Sequence, residues 1–158
     1  MGWYTNVIRK LGHTRWFAAL GRAVVPVDRW VQRRTKGRVT IVGMSALPHL
    51  LLTTTGRKTG QPRTIPLLYA PDGDNFVVTA SNWGQTHHPA WSGNLLADPA
   101  AVVAAHGREI PVHATLAEGA ERERVWALVT GVWPAYETYV DRAGDRTIRV
   151  FVLTPTER

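Results

Sequence analysis

Apolar positions along this chain follow two different periods. Between residues 5 and 34, Phe17, Leu20, Val24, Val27 and Val31 recur at spacings of three and four, and Arg15, Arg22 and Arg29 fall a heptad apart. At about 100° per residue the arginines lie nearly opposite the apolar stripe, so a basic amphipathic helix is expected, bent near Pro26, which cannot donate to the helical ladder. After Lys36-Gly37 the pattern turns to strands. Residues 38–44 are expected to be extended and 45–48 to form a short connection. Residues 49–55 and 61–69 then make a hairpin around Gly56-Arg57-Lys58-Thr59-Gly60. Pro71-Asp72-Gly73-Asp74 is turn chemistry, followed by a strand over 75–81 and a polar loop over 82–88.

Pro89 is placed to start a short helix through about Leu96, which Asp98-Pro99 ends. Residues 100–105 and 108–116 pair across His106-Gly107, with Ile110, Val112, Ala114 and Leu116 marking one buried face. Residues 118–133 are expected as a helix with the stripe Val125, Leu128, Val129 and Val132, its N-terminal dipole complemented by Glu121 and Glu123. Pro134 restarts a shorter helix bearing Tyr136 and Tyr139, and residues 147–153 form the last strand. About six mainly antiparallel strands with helices between them predict an α+β fold built on a small barrel or strongly curled sheet. The expected division is an extension over residues 1–36 and a barrel domain over 37–158.

Composition narrows the function classes. A chain of 158 residues suits one domain, and no apolar run approaches the ~20 residues that span a bilayer. Arg9, Lys10 and Arg15 interrupt the apolar centre a signal peptide would need. With no cysteine, disulfides, thiolate metal sites and cysteine nucleophiles are excluded, and a cytoplasmic location is the expectation. The net charge of +7 is uneven, because residues 1–38 hold nine cations against Asp28 alone and the remainder is slightly acidic. With Trp3, Trp16 and Trp30 on the same segment, this fits an anionic membrane surface; a helix packed on its own domain with a solvated basic face fits equally. Nucleic acid is a weaker third option, since no recognition motif accompanies the charge.

Familiar catalytic signatures are absent: no H-E-x-x-H, no G-x-S-x-G, no Walker loop and no G-x-G-x-x-G. No metal is expected. What remains is a set of binding features. Arg57 and Lys58 on a glycine-flanked loop suit an anionic group, met by side chains and by exposed backbone amides. Ser81 closes a strand beside a loop, Trp91 and Asn94 share a helix face, and Trp133, Tyr136 and Tyr139 recur every three residues. Together they describe an aromatic-walled pocket with a cationic mouth, suited to a flat heteroaromatic ligand with a negative tail.

From about Leu50 to Leu153 the sequence resembles the deazaflavin-dependent nitroreductase family, the actinobacterial split-barrel reductases that use coenzyme F420. The resemblance is carried by the run from Leu51 to Arg63, Ala80-Ser81, Pro89-Ala90-Trp91 with Asn94-Leu95, Tyr136 to Tyr139, and Asp145 to Ile148. It implies a split β-barrel holding the deazaflavin in a groove, where Arg57, Lys58 and Arg63 meet the phosphate and oligoglutamate tail. Ser81, Trp91 and Asn94 would contact the ring system and its linker, with Pro66, Ala80 and Asn82 completing the cofactor-binding set. Trp133, Tyr136 and Tyr139 would border the substrate side, where the family reduces quinones and nitroaromatic compounds. The resemblance also makes Ser81, Tyr136 and Tyr139 the catalytic candidates, Ser81 and Tyr136 as donors to charge developing on oxygen. It implies, too, that the N-terminal extension meets the inner face of the cell membrane.

Five positions depart from the family pattern. Asn82-Trp83 stands for a frequent Lys-Gly, His88 for an asparagine, Ser92 for a tyrosine, and Trp133 for a substrate-facing tyrosine of the best-known member. Activity on bicyclic nitroimidazole prodrugs is therefore not carried over. Two rivals stand beside this expectation: the same barrel using FMN, and a non-catalytic protein that binds a cofactor or a membrane surface.

Overall fold

The computed structural model describes residues 3–35 and 47–156. Its centre is a closed barrel of six antiparallel strands: β1 (His49–Thr55), β2 (Pro62–Asp72), β3 (Asn75–Thr79), β4 (Ala100–Ala105), β5 (Arg108–Leu116) and β6 (Val150–Pro155). The order around the barrel is β1-β2-β3-β6-β5-β4, closed by β1 against β4. Alternation decides which side chains fill it, since neighbouring residues of a strand point to opposite faces. Leu50 and Leu52, Val78, Val103, Val112, and Phe151 and Leu153 point inward, and Trp91 and Leu95 pack against them from α3 (Ala90–Ala97).

The outer face of β2, β3 and β6 is also covered. Ala70, Val77, Val150 and Val152 pack under α4 (Gly119–Val132) and α5 (Ala135–Arg142), where Val125, Val129, Trp133, Tyr136 and Tyr139 are buried. With both of its faces covered, β6 is buried from Val150 through Leu153 instead of at alternate residues. The α4 stripe is as expected, with Val125 and Val129 at its buried centre. Glu121 turns outward, joining Asp72 on the guanidinium of Arg124 and so tying α4 to the β2–β3 turn.

Several boundaries differ from expectation. β2 continues to Asp72, because Pro71 and Asp72 still pair with Phe76 and Asn75, leaving Gly73-Asp74 as the turn, with Gly73 at a φ of 60°. β3 stops at Thr79 and β6 starts at Val150. The extended segment expected over residues 38–44, and the connection up to residue 46, lie outside the described residues. The N-terminal helix is divided, but not at Pro26. α1 (Trp3–Leu11) and α2 (Arg15–Thr35) are separated at Gly12, and Pro26 sits inside a continuous α2. Thr14 folds onto the end of α1, its amide and hydroxyl both donating to the Leu11 carbonyl at 2.9 and 2.6 Å.

Packing explains why the break is there. The α1–α2 corner rests on α4 and α5: Tyr139 Oη donates to the Gly12 carbonyl at 3.0 Å, Arg142 donates to the His13 carbonyl, and Arg9 donates to Gly131 at 3.3 Å. The ring of Phe17 stacks on Trp133 with centroids 6.3 Å apart. The expected apolar stripe is thereby split. Phe17, Val24 and Val31 are half-buried, whereas Leu20 and Val27 are exposed together with Trp16 and Trp30.

Gly12 is required at the corner by space, since a Cβ there would lie 2.2 Å from Trp133. Gly12→Ala is expected to lower unfolding free energy by about 1–3 kcal/mol through overpacking, and to make residues 3–35 more sensitive to limited proteolysis. Wild-type stability and wild-type cleavage would show that the corner is not packed this way.

Candidate functional site

The β1–β2 hairpin, the 82–89 loop and the start of α3 enclose an open cleft of about 710 Å³. Arg57, Lys58 and Arg63 line it, with Asn82, His88, Trp91 and Asn94 opposite, and among the described residues no carboxylate does. The hairpin expectation is met residue for residue in β1, but the loop works differently from a nest of free amides. The Gly56, Gly60 and Gln61 amides donate to the Gln61 carbonyl, the Gly56 carbonyl and Thr59 Oγ1, and that of Arg57 to Asn94 Oδ1. The loop is closed on itself, so cationic side chains, not a row of backbone amides, face the cleft.

Asn94 locks this loop to α3. It is 3 % exposed; its Oδ1 accepts from both the amide and Nη1 of Arg57 at 3.1 Å, and its Nδ2 donates to Thr54 Oγ1 at 3.0 Å. Arg57 Nη1 also donates to the Ala90 carbonyl at 3.1 Å, with the guanidinium lying over Gly93, where a Cβ would meet it at 3.0 Å. Arg57 is thus engaged by the protein itself. Lys58 is exposed with no hydrogen bond or ion pair among the described residues, and Arg63 has only a long contact to Thr59 at 3.4 Å. Those two carry the cationic character offered to a ligand.

The opposite wall is a strained turn. Asn82, Trp83 and Gly84 have φ of 47°, 57° and 76°, three successive left-handed residues of which two are not glycine. Arg146 holds that turn: Nε and Nη2 donate to the Gln85 carbonyl at 3.0 and 2.9 Å, Nη1 to Ala80 at 2.9 Å, and Nη2 to Ser81 at 2.7 Å. Burial, then the neighbouring Arg149, pulls its pKa down, and four carbonyl contacts stand in for a counter-ion. Asn82 Nδ2 closes the same loop on the His87 carbonyl at 3.0 Å. His88 has its pKa lowered by burial and then by Arg149 and Arg146, and its buried Nδ1 has no partner among the described residues.

Not all the expected site residues meet. Arg57, Lys58, Arg63, Asn82, Trp91 and Asn94 share the cleft. Ala80 and Ser81 precede its turn, while Pro66 lies along β2 opposite Leu51 and does not line the cleft. Trp133, Tyr136 and Tyr139 do not line it either. They are 1 %, 7 % and 1 % exposed, in the core beneath α4 and α5. The expected single pocket, cationic at the mouth and aromatic at the wall, is therefore divided by the 82–84 turn. Trp83 marks the division, its ring facing Tyr139 at 6.4 Å and away from the cleft. Burial, with Tyr139 beside it, raises the pKa of Tyr136, so its phenol stays protonated. The sequence assigns no role to Arg146 or His88; Arg146 belongs to the run from Asp145 to Ile148, but nothing local shows which carbonyls it reaches.

The resemblance seen in the sequence extends to characterised proteins. The profile of the F420H(2)-dependent quinone reductase family matches residues 25–155. An F420H(2)-dependent quinone reductase of Mycobacterium tuberculosis is 34 % identical over 145 residues, covering 89 % of this chain and 97 % of that protein. The solved F420-H2 dependent reductase FDR-A superposes with a TM-score of 0.62 at 36 % identity, over 67 % of this chain and 93 % of its own. A chain solved as a domain-swapped dimer superposes at 0.63 with 34 % identity, over 81 % and 98 % of the two chains.

Arg146→Lys keeps the charge but not the fork that reaches three carbonyls. It is expected to lower stability by about 2–3 kcal/mol and to loosen residues 80–88, seen as faster amide hydrogen exchange confined to that loop. Unchanged exchange there would remove Arg146 as the organiser of the wall.

Proposed function

The chain belongs to the F420H(2)-dependent quinone reductase family, and from that premise we propose that the cleft between the β1–β2 hairpin and α3 holds the deazaflavin. When bound, the reduced cofactor supplies a hydride to a quinone or a nitroaromatic-type acceptor. The observation that carries the assignment is the cleft's donor set. Among the described residues Lys58 and Arg63 have no ion-pair partner and no acid lines the space, and Pro62, Ile65, Pro89 and Trp91 give apolar walls. A polyanionic tail and a flat ring fit that combination, and the volume lies in the range of small-molecule sites. The family's cofactor is F420, which sets aside FMN, and family membership makes the chain an oxidoreductase rather than a carrier.

Within this proposal Lys58 and Arg63 attract the phosphate and acidic tail. Arg57 and Asn94 position the hairpin that presents them, and Trp91 backs the ring side. Ala80, Ser81 and Asn82 form the edge of the site nearest the reacting atoms, with Ser81 Oγ available as a donor to charge developing on oxygen. Tyr136 is assigned the same role, and Tyr139 and Trp133 the boundary of the acceptor side. Support for these three is their nearness to the 82–84 turn. For them to reach an acceptor, the turn or the α1–α2 corner must shift, since Tyr139 now donates to Gly12.

Removing the cations and removing the phenol should leave different signatures. Lys58→Ala with Arg63→Ala is expected to raise the Kd for F420 at least tenfold, with hydride transfer at saturation little changed. Tyr136→Phe is expected to slow turnover while leaving that Kd alone. An unchanged Kd in the first variant sinks the cleft assignment, and full activity in the second removes the phenol from the mechanism.

The extension over residues 1–36, acting beside a barrel domain over 37–158, is proposed to rest on the anionic inner surface of the membrane. No helix among the described residues is long and apolar enough to cross one. Support comes from the side of α2 turned away from the barrel. Trp16, Leu20, Val27 and Trp30 are 52–60 % exposed and fall within about 80° of one another. The double variant Trp16→Glu/Trp30→Glu is expected to lose most binding to phosphatidylglycerol vesicles in co-sedimentation, and retained binding would refute the surface contact.

A further inference from the structure

A second cationic site lies on the other side of the 82–84 turn. Arg15 and Arg22, one heptad apart on α2, and Arg142 on α5 line a crevice of about 250 Å³ whose floor is Trp83 and Gly84. Among the described residues no carboxylate lines it. Arg15 and Arg22 make no hydrogen bond or ion pair with any described residue, and the two ion pairs among the described residues both belong to Arg124. Arg142 is held ready, its guanidinium 5.8 Å from the Tyr139 ring and bonded to the His13 carbonyl. The Gly84 backbone is pressed onto α5, where a Cβ would lie 2.9 Å from the Cβ of Arg142.

Three guanidinium groups brought to one crevice by two elements repel one another unless an anion sits among them. Guanidinium forks match the oxygens of a phosphate better than any other common side chain, and the space suits a phosphate with its nearest waters. We propose that this crevice binds a phosphate group, so that the protein carries an anion site separate from the cofactor cleft. The two sites share only the 82–84 turn, with Asn82 facing the cleft and Trp83 and Gly84 facing the crevice. The phosphate is either a soluble ester or a lipid headgroup; the charge and shape that would recognise it are the same.

The test uses the full chain carrying Lys58→Gln and Arg63→Gln, so that phosphate no longer reports on the cleft and the outcome does not depend on the cofactor assignment. Thermal unfolding is followed as inorganic phosphate is titrated against sodium chloride of equal ionic strength. Phosphate is expected to raise Tm by several degrees where chloride does not. Adding Arg15→Gln and Arg22→Gln is expected to abolish most of that rise, with Arg22→Lys intermediate. Because neither arginine makes a hydrogen bond or ion pair with a described residue, these variants should keep the parent's circular dichroism. The same proteins are then bound to phosphatidylglycerol and phosphatidylcholine vesicles. Weaker binding to phosphatidylglycerol by fivefold or more in the arginine variant assigns a lipid headgroup. Loss of the phosphate response with unchanged vesicle binding assigns a soluble phosphate. A phosphate response equal in both proteins, or none in the parent, overturns the proposal.

Discussion

One guanidinium, fixed by four backbone carbonyl contacts and no carboxylate, shapes the functional face of this protein. Arg146 reaches the carbonyls of residues 80, 81 and 85 from a short segment after α5 and gathers them around itself. The chain between those carbonyls has little choice but to turn tightly. It does so through Asn82, Trp83 and Gly84 in left-handed conformations that cost a non-glycine residue about 1–2 kcal/mol each. Hydrogen bonds to a charged group contribute about 1.5–3 kcal/mol apiece, so the clasp can hold that strain. Charge without a counter-ion is tolerable because carbonyl dipoles are aimed at it.

The clasped turn separates two environments that a linear reading merges. On one side lies the open cleft, lined by cations and, among the described residues, by no acid. On the other lie buried phenols, a stacked Phe17–Trp133 pair and the underside of the N-terminal corner. Trp83 belongs to the second environment, which is why an indole in place of a frequent glycine does not fill the cleft. Anything passing between the two must move the turn or the corner. The corner is held by carbonyl contacts, one ring stack and the hydrogen bond between His13 and Thr138.

The hairpin and α3 show how a binding surface can be built from residues that do not themselves bind. Asn94 spends its whole amide on Thr54 and Arg57, and Arg57 spends its amide and one guanidinium nitrogen on Asn94 and Ala90. The result is a loop rigid enough to present Lys58 and Arg63 at a fixed distance from α3. Preorganisation of this kind lowers the ordering cost of binding a flexible acidic tail.

By itself the amino-acid order determined the strands, the helices and the family. The apolar, β-branched run of residues 49–55, alternation in 108–116, the proline and glycine punctuation, and the Leu51 to Arg63 run are local properties, legible because side-chain direction follows backbone period. Lys58 and Arg63, five residues apart, and Trp91 and Asn94, three apart, also lie in such local runs, which the structure brings to one cleft. Tertiary structure alone decided the rest. Tyr136 and Tyr139 share a helical spacing that suits a pocket wall, but whether that face meets solvent or Gly12 depends on a contact more than 120 residues away in sequence. Arg146 organises a turn some sixty residues upstream, and Arg15 and Arg22 converge with Arg142 across two helices. Such pairings leave no periodic trace, because long-range packing and charge are set by where elements dock rather than by the order of residues within them.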